Sequence, residues 1–239
     1  MERLWDGGPV FDAAGGFPLV TDSVLLADFA RTGKTGRAAR GCELGCGPGA
    51  VSLLLLWREP GLCMDMLELL PEAAEAARRN LEANGLGGRG RVLEGDIREH
   101  GALLPGGGYD LVVCNPPYFS SGGVSPDGSR AAARSEGCCS LDDVLEAAAR
   151  LLRPGGRLAL VHRVERLADV LCGMRARALE PKRLRLVQHS AAHAPSLTLA
   201  EGRRGGRPGL EVEPVLILCK PDGTPTEESR RIYHMEVGQ

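Results

Sequence analysis

The sequence predicts an α/β protein with a mostly parallel central sheet. Short apolar runs alternate with helical segments, a glycine-rich turn separates the first run from a helix, and polar residues follow several runs. Parallel strands joined by crossover helices produce this alternation, and their carboxyl ends form the edge of the sheet where ligands bind. We therefore expect a ligand site at that edge.

Length and composition fit a single domain over residues 1–239, divided into a lead-in and helix (1–39), a core (40–163) and further strands (164–239). No apolar run reaches the roughly 18 residues of a membrane helix, and no secretory signal is recognisable, so we expect a cytoplasmic protein without membrane contact. The eight cysteines contain no C-x-x-C pair, which indicates free thiols and no metal site. A monomer is assumed.

The net charge of −2 conceals an uneven distribution. From Arg150 onward the chain has 16 Lys and Arg against 10 Asp and Glu, so the earlier part is acidic. A basic region steers polyanions towards a protein, and arginines scattered over a solvated helix face are an equally good interpretation.

Periodicity and punctuation define the elements in chain order. The predicted strands are Arg40–Leu44, Gly61–Leu69, Arg91–Leu93, Tyr109–Cys114, Arg157–Arg163, Arg183–His189 and Glu213–Cys219. The predicted helices are Val24–Ala30, Val51–Trp57, Glu72–Asn84, Ser140–Leu152 and Leu167–Leu179. We expect loops over 119–137 and 202–208 and a peripheral tail beyond Pro221.

The turn after the first strand is rich in glycine, and we expect its backbone to contact a ligand through Gly45, Cys46, Gly47 and Gly49. Glycine allows positive φ and close approach, and the following helix offers unpaired N–H groups. Glu43 at the head of the turn disfavours a pyrophosphate and favours a cationic ligand.

Acidic residues also follow the second and third strands. Glu68, with Leu69 beside it, stands at the tip of the second strand, where a carboxylate accepts the hydroxyls of a ribose. Asp96 is placed to accept an adenine amino group, and Ile97 to cover a face of that ring.

The fourth strand is followed by Asn115-Pro116-Pro117-Tyr118. Two prolines remove two backbone donors and stiffen the loop. The Asn115 side-chain oxygen and the Pro116 carbonyl suit the two hydrogens of a planar amino group, and Tyr118 suits its face. A proline turn that merely closes the strand is the alternative.

These motifs resemble those of known enzymes. Asn115–Tyr118 is similar to the motif of methyltransferases that modify exocyclic or amide nitrogens, and Glu43, Glu68 and Asp96 resemble the signature of Rossmann-like class I methyltransferases. The resemblance implies a seven-stranded sheet with an antiparallel last strand, and S-adenosyl-L-methionine lying across the first strands.

Several segments together resemble the bacterial tRNA adenine-N6 methyltransferases that act on adenine 37 of a valine tRNA. The matching segments are the cofactor turn and residues 21–26, 115–119, 133–136, 161–163, 180–183 and 201–208. Ser135 departs from the pattern, since a histidine is expected between the arginine and the glutamate.

The resemblance implies tRNA as the partner and assigns further residues. It suggests that Thr21 and Asp22 close the methionine end of the cofactor, although capping of the first helix remains the alternative. Candidate contacts to tRNA phosphates are Arg134, Arg163, Arg203, Arg204 and Arg207. A solvated turn is the alternative for Arg203 and Arg204.

The resulting hypothesis is an N-methyltransferase that holds the N6 amino group of a tRNA adenine at residues 115–118. A glutamine-N5 protein methyltransferase is an alternative, because a carboxamide is also a planar amine. Enzymes of that family have an added N-terminal helical domain. Only about 40 residues precede the first strand here, which disfavours this alternative. A non-catalytic module that binds S-adenosylmethionine or RNA is a third hypothesis.

Overall fold

The structure, a computed structural model, describes residues 1–13, 19–31, 39–116 and 139–235. The helices are α1 (Thr21–Phe29), α2 (Ala50–Arg58), α3 (Pro71–Ala83), α4 (His100–Leu103), α5 (Leu141–Leu151), α6 (Leu167–Ala176) and α7 (Glu227–Tyr233). The strands are β1 (Glu2–Arg3), β2 (Val10–Phe11), β3 (Ala39–Leu44), β4 (Leu62–Glu68), β5 (Gly90–Glu94), β6 (Tyr109–Cys114), β7 (Leu152–Arg163), β8 (Leu179–Gln188), β9 (Leu197–Arg204), β10 (Glu211–Val212) and β11 (Leu216–Ile217). Three of the predicted site residues, Pro117, Tyr118 and Arg134, lie outside the described residues.

One sheet contains seven main strands in the order β5-β4-β3-β6-β7-β9-β8. Neighbouring strands are parallel except at β9, which runs antiparallel to β7 and β8. The short strands β10 and β11 pair in parallel with β8. The predicted fold, with an antiparallel last strand among seven, is confirmed.

The identity of that last strand corrects the sequence prediction. It is β9, not residues 213–219, of which only the two-residue β11 is a strand. The glycines and arginines over 202–208, at the end of β9, indicated a loop. In the structure, Glu201 of β9 is buried and forms ion pairs with Arg157 at 2.7 Å and Arg183 at 3.1 Å. A charge is tolerated in a central strand when both neighbouring strands supply partners for it.

The segment beyond Pro221 is likewise not a peripheral tail. Its helix α7 is capped by Thr226, whose side chain accepts a hydrogen bond from the Ser229 N–H. Ile232 is 1% exposed and packs in the core with α1. The helix α5 is capped at its start, since Ser140 and Asp143 form a reciprocal capping box.

Both faces of the sheet are covered by apolar side chains. Leu25 of α1 and Leu54 of α2 pack on one face with Val113, and Val144 of α5 packs on the other face with Leu160. Within the described ranges, no helix is long and apolar enough to cross a membrane.

Candidate active site

The carboxyl ends of β3, β4, β5 and β6 lie at one edge of the sheet, because these strands are parallel and aligned in register. Glu43 and Glu68 lie within the last two residues of β3 and β4, Asp96 follows β5, and Asn115 follows β6. The structure thus brings these four predicted site residues to the same edge.

The turn after β3 requires its glycines. Gly45, Gly47 and Gly49 have φ values of 69°, 54° and 82°, a region that residues with a side chain rarely adopt. A Cβ on Gly49 would lie 2.5 Å from Met66 Cε. The turn therefore packs closely on the sheet at Gly49, whereas nothing lies within 4 Å of an added Cβ at Gly47.

Glu68 holds this turn in place. It is 8% exposed, its Oε2 accepts a hydrogen bond from the Gly47 N–H at 2.7 Å, and its Oε1 accepts one from the Leu70 N–H at 2.9 Å. Leu69, in contrast, is exposed. Each carboxylate oxygen has a second lone pair, so the bonds to the turn leave Glu68 able to accept ligand hydroxyls as well.

Glu43 is more deeply buried than a direct ligand contact requires. It is 2% exposed, and its Oε2 accepts hydrogen bonds from the Ser52 N–H at 2.9 Å and the Ser52 hydroxyl at 2.5 Å. It thereby joins the end of β3 to the first turn of α2. Burial raises the pKa of Glu43 to about 8, although the bonds from Ser52 oppose this, and the nearby Glu68 adds to the rise.

Asp96 caps the short 3-10 turn Ile97–Glu99 by accepting a hydrogen bond from the Arg98 N–H at 2.8 Å. Its two oxygens also form an ion pair with the Arg98 side chain, which lowers the pKa of Asp96. Ile97 is buried beside the turn at Gly45. Arg98, which competes with a ligand for the Asp96 carboxylate, was not among the predicted site residues.

Asn115 is held in place by a residue of α1. Its Nδ2 donates a hydrogen bond to Ser23 Oγ at 3.1 Å, and Ser23 is 7% exposed. The next residue, Pro116, is buried. Ser23 was missed as a site residue, although it stands beside Thr21 and Asp22 in the segment that the sequence analysis singled out.

Thr21 and Asp22 do not cap α1. They occupy its first turn, and the N-cap position is taken by Val20, whose side chain makes no capping bond. The capping alternative is therefore wrong. Their side chains lie at the end of α1 from which Ser23 contacts Asn115.

The predicted arginines do not share one surface. Arg163 ends β7 at the carboxyl edge and is about half exposed, with Glu165 3.8 Å away. Arg203 and Arg204 belong to β9, and Arg203 pairs with Arg157, so they lie about 20 Å away along the strands. Arg204 donates a hydrogen bond to the carbonyl of Arg177 at 2.9 Å, and Arg207 follows on the same side.

Among the described residues, no group of three or more His, Cys, Asp and Glu side chains is arranged to hold a metal ion. Cys42, Cys46 and Cys114 are buried free thiols near the strand ends. Burial raises the pKa of each thiol, so they behave as small apolar groups.

Comparison with known proteins agrees with this geometry. The family model described as "Methyltransferase small domain" matches residues 21–169. The chain is 34% identical over 186 residues to the tRNA1(Val) (adenine(37)-N6)-methyltransferase of Porphyromonas gingivalis (strain ATCC BAA-308 / W83), covering 77% of this chain and 73% of the relative. It is 36% identical over 180 residues to the protein of that name from Tolumonas auensis, covering 75% and 73%.

A similar solved structure is described as a predicted O-methyltransferase from Agrobacterium tumefaciens, with a TM-score of 0.73 and 22% identity over 90% of this chain and 96% of that one. At this identity the likeness supports the fold alone. The relatives and the family model show more: the chain belongs to the methyltransferase small domain family, and within it to the tRNA1(Val) (adenine(37)-N6)-methyltransferases.

Proposed function

We propose that the protein transfers a methyl group from S-adenosyl-L-methionine to the exocyclic N6 of an adenine in tRNA. The observation that carries this proposal is the position of Asn115, which Ser23 holds at the edge where Glu43, Glu68 and Asp96 also lie. The names of the relatives support adenine in tRNA as the substrate.

The residues at the edge fit the cofactor. The three glycines over 45–49 have positive φ values, and an added Cβ at Gly47 would meet nothing within 4 Å, so a nucleoside can lie against the backbone there. Glu68 would accept the ribose hydroxyls, and Asp96 and Ile97 would contact the adenine ring. Once ionised, the buried Glu43 would favour a ligand with positive charge. When bound, the cofactor supplies an electrophilic methyl group on a sulfonium.

The chain's own contribution is to position the amine. The Asn115 side-chain oxygen and the Pro116 carbonyl accept the two N6 hydrogens, which directs the nitrogen lone pair away from them and towards the donor. The bond to Ser23 reduces the freedom of the Asn115 side chain. We further expect the target base to stack on Tyr118. The methylated amine is acidic and loses a proton to water.

A base that is paired or stacked in the RNA cannot reach Asn115 and Pro116 at the edge of the sheet, so the target adenine must leave its stack. Arg163 is the described candidate for a phosphate contact near the modified nucleotide, because it stands at the carboxyl edge. Arg203, Arg204 and Arg207 remain candidates for a phosphate contact remote from it. We place the enzyme in the cytoplasm, where its tRNA substrate is found, and we expect it to be a monomer.

The proposal is tested by incubating the purified protein with methyl-labelled cofactor and, separately, a tRNA pool and a protein pool. We expect label in tRNA, recovered as N6-methyladenosine by nucleoside mass spectrometry. Label in glutamine of the protein pool would instead support the amide methyltransferase. An absence of label in both pools, with cofactor binding retained, would support a binding module.

A further inference from the structure

A second group of charged side chains lies towards the amino ends of β3, β4 and β5, away from the strand ends that form the candidate active site. Its centre is Asp65 of β4, which is 6% exposed. Asp65 Oδ2 accepts hydrogen bonds from Arg40 Nη2 at 2.8 Å and from the Tyr109 hydroxyl at 2.5 Å. Its Oδ1 accepts one from Arg91 Nε at 2.8 Å. The carboxylate therefore fixes two arginine side chains that come from β3 and β5, the strands on either side of its own.

The two arginines keep most of their donors. An arginine side chain has five N–H groups, and in the part of the chain that the structure describes each of these two guanidinium groups gives one hydrogen bond, to Asp65. The side chain of Arg40 is 45% exposed and that of Arg91 is 57% exposed, so their remaining N–H groups are accessible to a ligand. Because Asp65 already restrains both side chains, less conformational freedom is lost when a ligand binds.

A cavity of about 210 Å³ lies beside these arginines and is closed on one side by the loop between α3 and β5. The loop lines it with Gly87 and Gly88. An added Cβ at either glycine would meet nothing within 4 Å, and among the described residues neither backbone N–H has a hydrogen-bond acceptor. The loop therefore brings two unused backbone donors to the cavity, in addition to the guanidinium groups.

The lining of the cavity is positively charged. It contains Arg40, Arg89 and Arg91 against one carboxylate, Asp65, an excess of two positive charges. Burial would raise the pKa of Asp65, but its three hydrogen bonds lower the pKa overall, so this carboxylate is ionised. The Arg89 side chain donates a hydrogen bond to the Leu56 carbonyl at 2.8 Å, which fixes the third positive charge in the wall.

We propose that this cavity binds a phosphate group. The guanidinium groups of Arg40 and Arg91 come from two strands, and their N–H groups match the geometry of phosphate oxygens. The backbone N–H groups of Gly87 and Gly88 supply donors for a further oxygen. The phosphate belongs to an RNA backbone or to a small phosphate compound, which offer the same oxygens. The inference does not depend on the proposed function, because the cavity lies away from the carboxyl edge.

Cys63 provides a reporter for this site. It is an exposed free thiol that lines the cavity, and it lies opposite Arg40 in the register of β3 and β4. Cys172 of α6 is also an exposed free thiol but does not line the cavity, so it serves as an internal control. Alkylation of each thiol by N-ethylmaleimide is followed by peptide mass spectrometry. Replacing sodium chloride with sodium phosphate at equal ionic strength should slow the alkylation of Cys63 at least about threefold and leave that of Cys172 unchanged.

Two variants show whether the cavity causes this protection. Arg91→Gln removes one of the two proposed phosphate ligands and should abolish the protection of Cys63, while Asp65 keeps its bonds to Arg40 and Tyr109. Arg78→Gln is the matched control, because Arg78 pairs with Glu94 at 2.8 Å and does not line the cavity. Full protection in Arg91→Gln would overturn the inference, and so would an equal slowing of Cys63 and Cys172.

Adding tRNA in sodium chloride separates the two sources of phosphate. If the group belongs to an RNA backbone, tRNA should protect Cys63 in the unmodified protein and not in Arg91→Gln. If it belongs to a small compound, inorganic phosphate should protect Cys63 and tRNA should not. Unchanged alkylation of Cys63 with both probes would overturn the inference, whether or not the protein methylates tRNA.

Discussion

Asn115 Nδ2 donates a hydrogen bond to Ser23 Oγ over 3.1 Å, joining the end of a central strand to the first turn of α1. The two residues are 92 positions apart in the chain. Because an amide that donates through Nδ2 has its rotation restricted, this bond sets the direction in which the side-chain oxygen points. The account of the active site depends on that direction.

Ser23→Ala should lower kcat about tenfold and leave the cofactor affinity nearly unchanged. The substitution removes one neutral hydrogen bond and frees the Asn115 side chain, while the helix propensity of alanine preserves α1. Steady-state kinetics with tRNA and calorimetry with S-adenosylhomocysteine measure the two effects. Ser229→Ala removes an equally buried hydroxyl from α7 and should leave kcat unchanged. Similar kcat values for the two variants would contradict the role of Ser23.

Glu68→Ala should weaken S-adenosylhomocysteine binding at least about tenfold, since it removes both the proposed ribose acceptor and the acceptor of the Gly47 N–H. Glu94 provides a matched control, because it lies opposite Glu68 in the register of β4 and β5 but is exposed and pairs with Arg78. Glu94→Ala should bind the ligand normally in the same calorimetric titration. Equal affinities for both variants would remove Glu68 from the ribose site.

Because the pKa of Glu43 is raised, we expect cofactor binding to depend on pH. Its pKa is raised to about 8, so in the folded protein the carboxyl loses its proton as pH rises from about 7 to about 9. The affinity for S-adenosylmethionine should therefore rise over that range, and that for the uncharged thioether S-adenosylhomocysteine should rise less. Glu43→Gln should make the two pH profiles parallel, whereas parallel profiles in the unmodified protein would refute the assignment.

The same group affects stability with the opposite sign. Between its ordinary pKa of 4.5 and the folded value of about 8, Glu43 holds a proton in the folded state and not in the unfolded state. The free energy of unfolding therefore falls as pH rises through this window. Without cofactor, Glu43→Gln should lose less stability than the unmodified protein between about pH 5 and about pH 9 in urea titrations. An identical loss in both would show that Glu43 titrates normally.

The separation of the arginines predicts different responses to the length of the RNA. Arg163→Ala should reduce the salt slope of binding by about one, both for whole tRNA and for a short stem-loop containing the target adenine. An Arg203→Ala/Arg207→Ala double variant should affect whole tRNA alone, because these residues lie at the other end of the strands. A loss of stem-loop binding in the double variant would contradict the geometry.

The sequence was most informative where one residue type performs one local task. Gly45, Gly47 and Gly49 adopt the positive φ values that their pattern indicated, and Glu68 stands at the tip of its strand as expected. Parallel strands bring such residues to one edge without any further information. The bounds of β6 also agree with its apolar run, because the residues from Leu111 to Cys114 are buried and apolar, as in a strand covered on both faces.

Contacts between distant segments could not be predicted in this way. Glu201 and the glycines and arginines that follow it were predicted to form a polar loop. The burial of Glu201 in a strand could not be predicted, because its ion-pair partners come from two other strands. The Ser23–Asn115 bond and the packing of α7 on α1 likewise depend on tertiary structure. Arg98 lies two residues after Asp96 in the sequence, so its competition for that carboxylate was detectable from spacing alone.

One paired measurement tests most directly whether Asn115 positions the amine. Methylation of tRNA by Asn115→Ala is followed by mass spectrometry of N6-methyladenosine, together with calorimetry of S-adenosylhomocysteine on the same sample. The account predicts that turnover falls at least about a hundredfold while the cofactor affinity changes by less than about threefold. Turnover close to that of the unmodified enzyme, with the cofactor still bound, would contradict it.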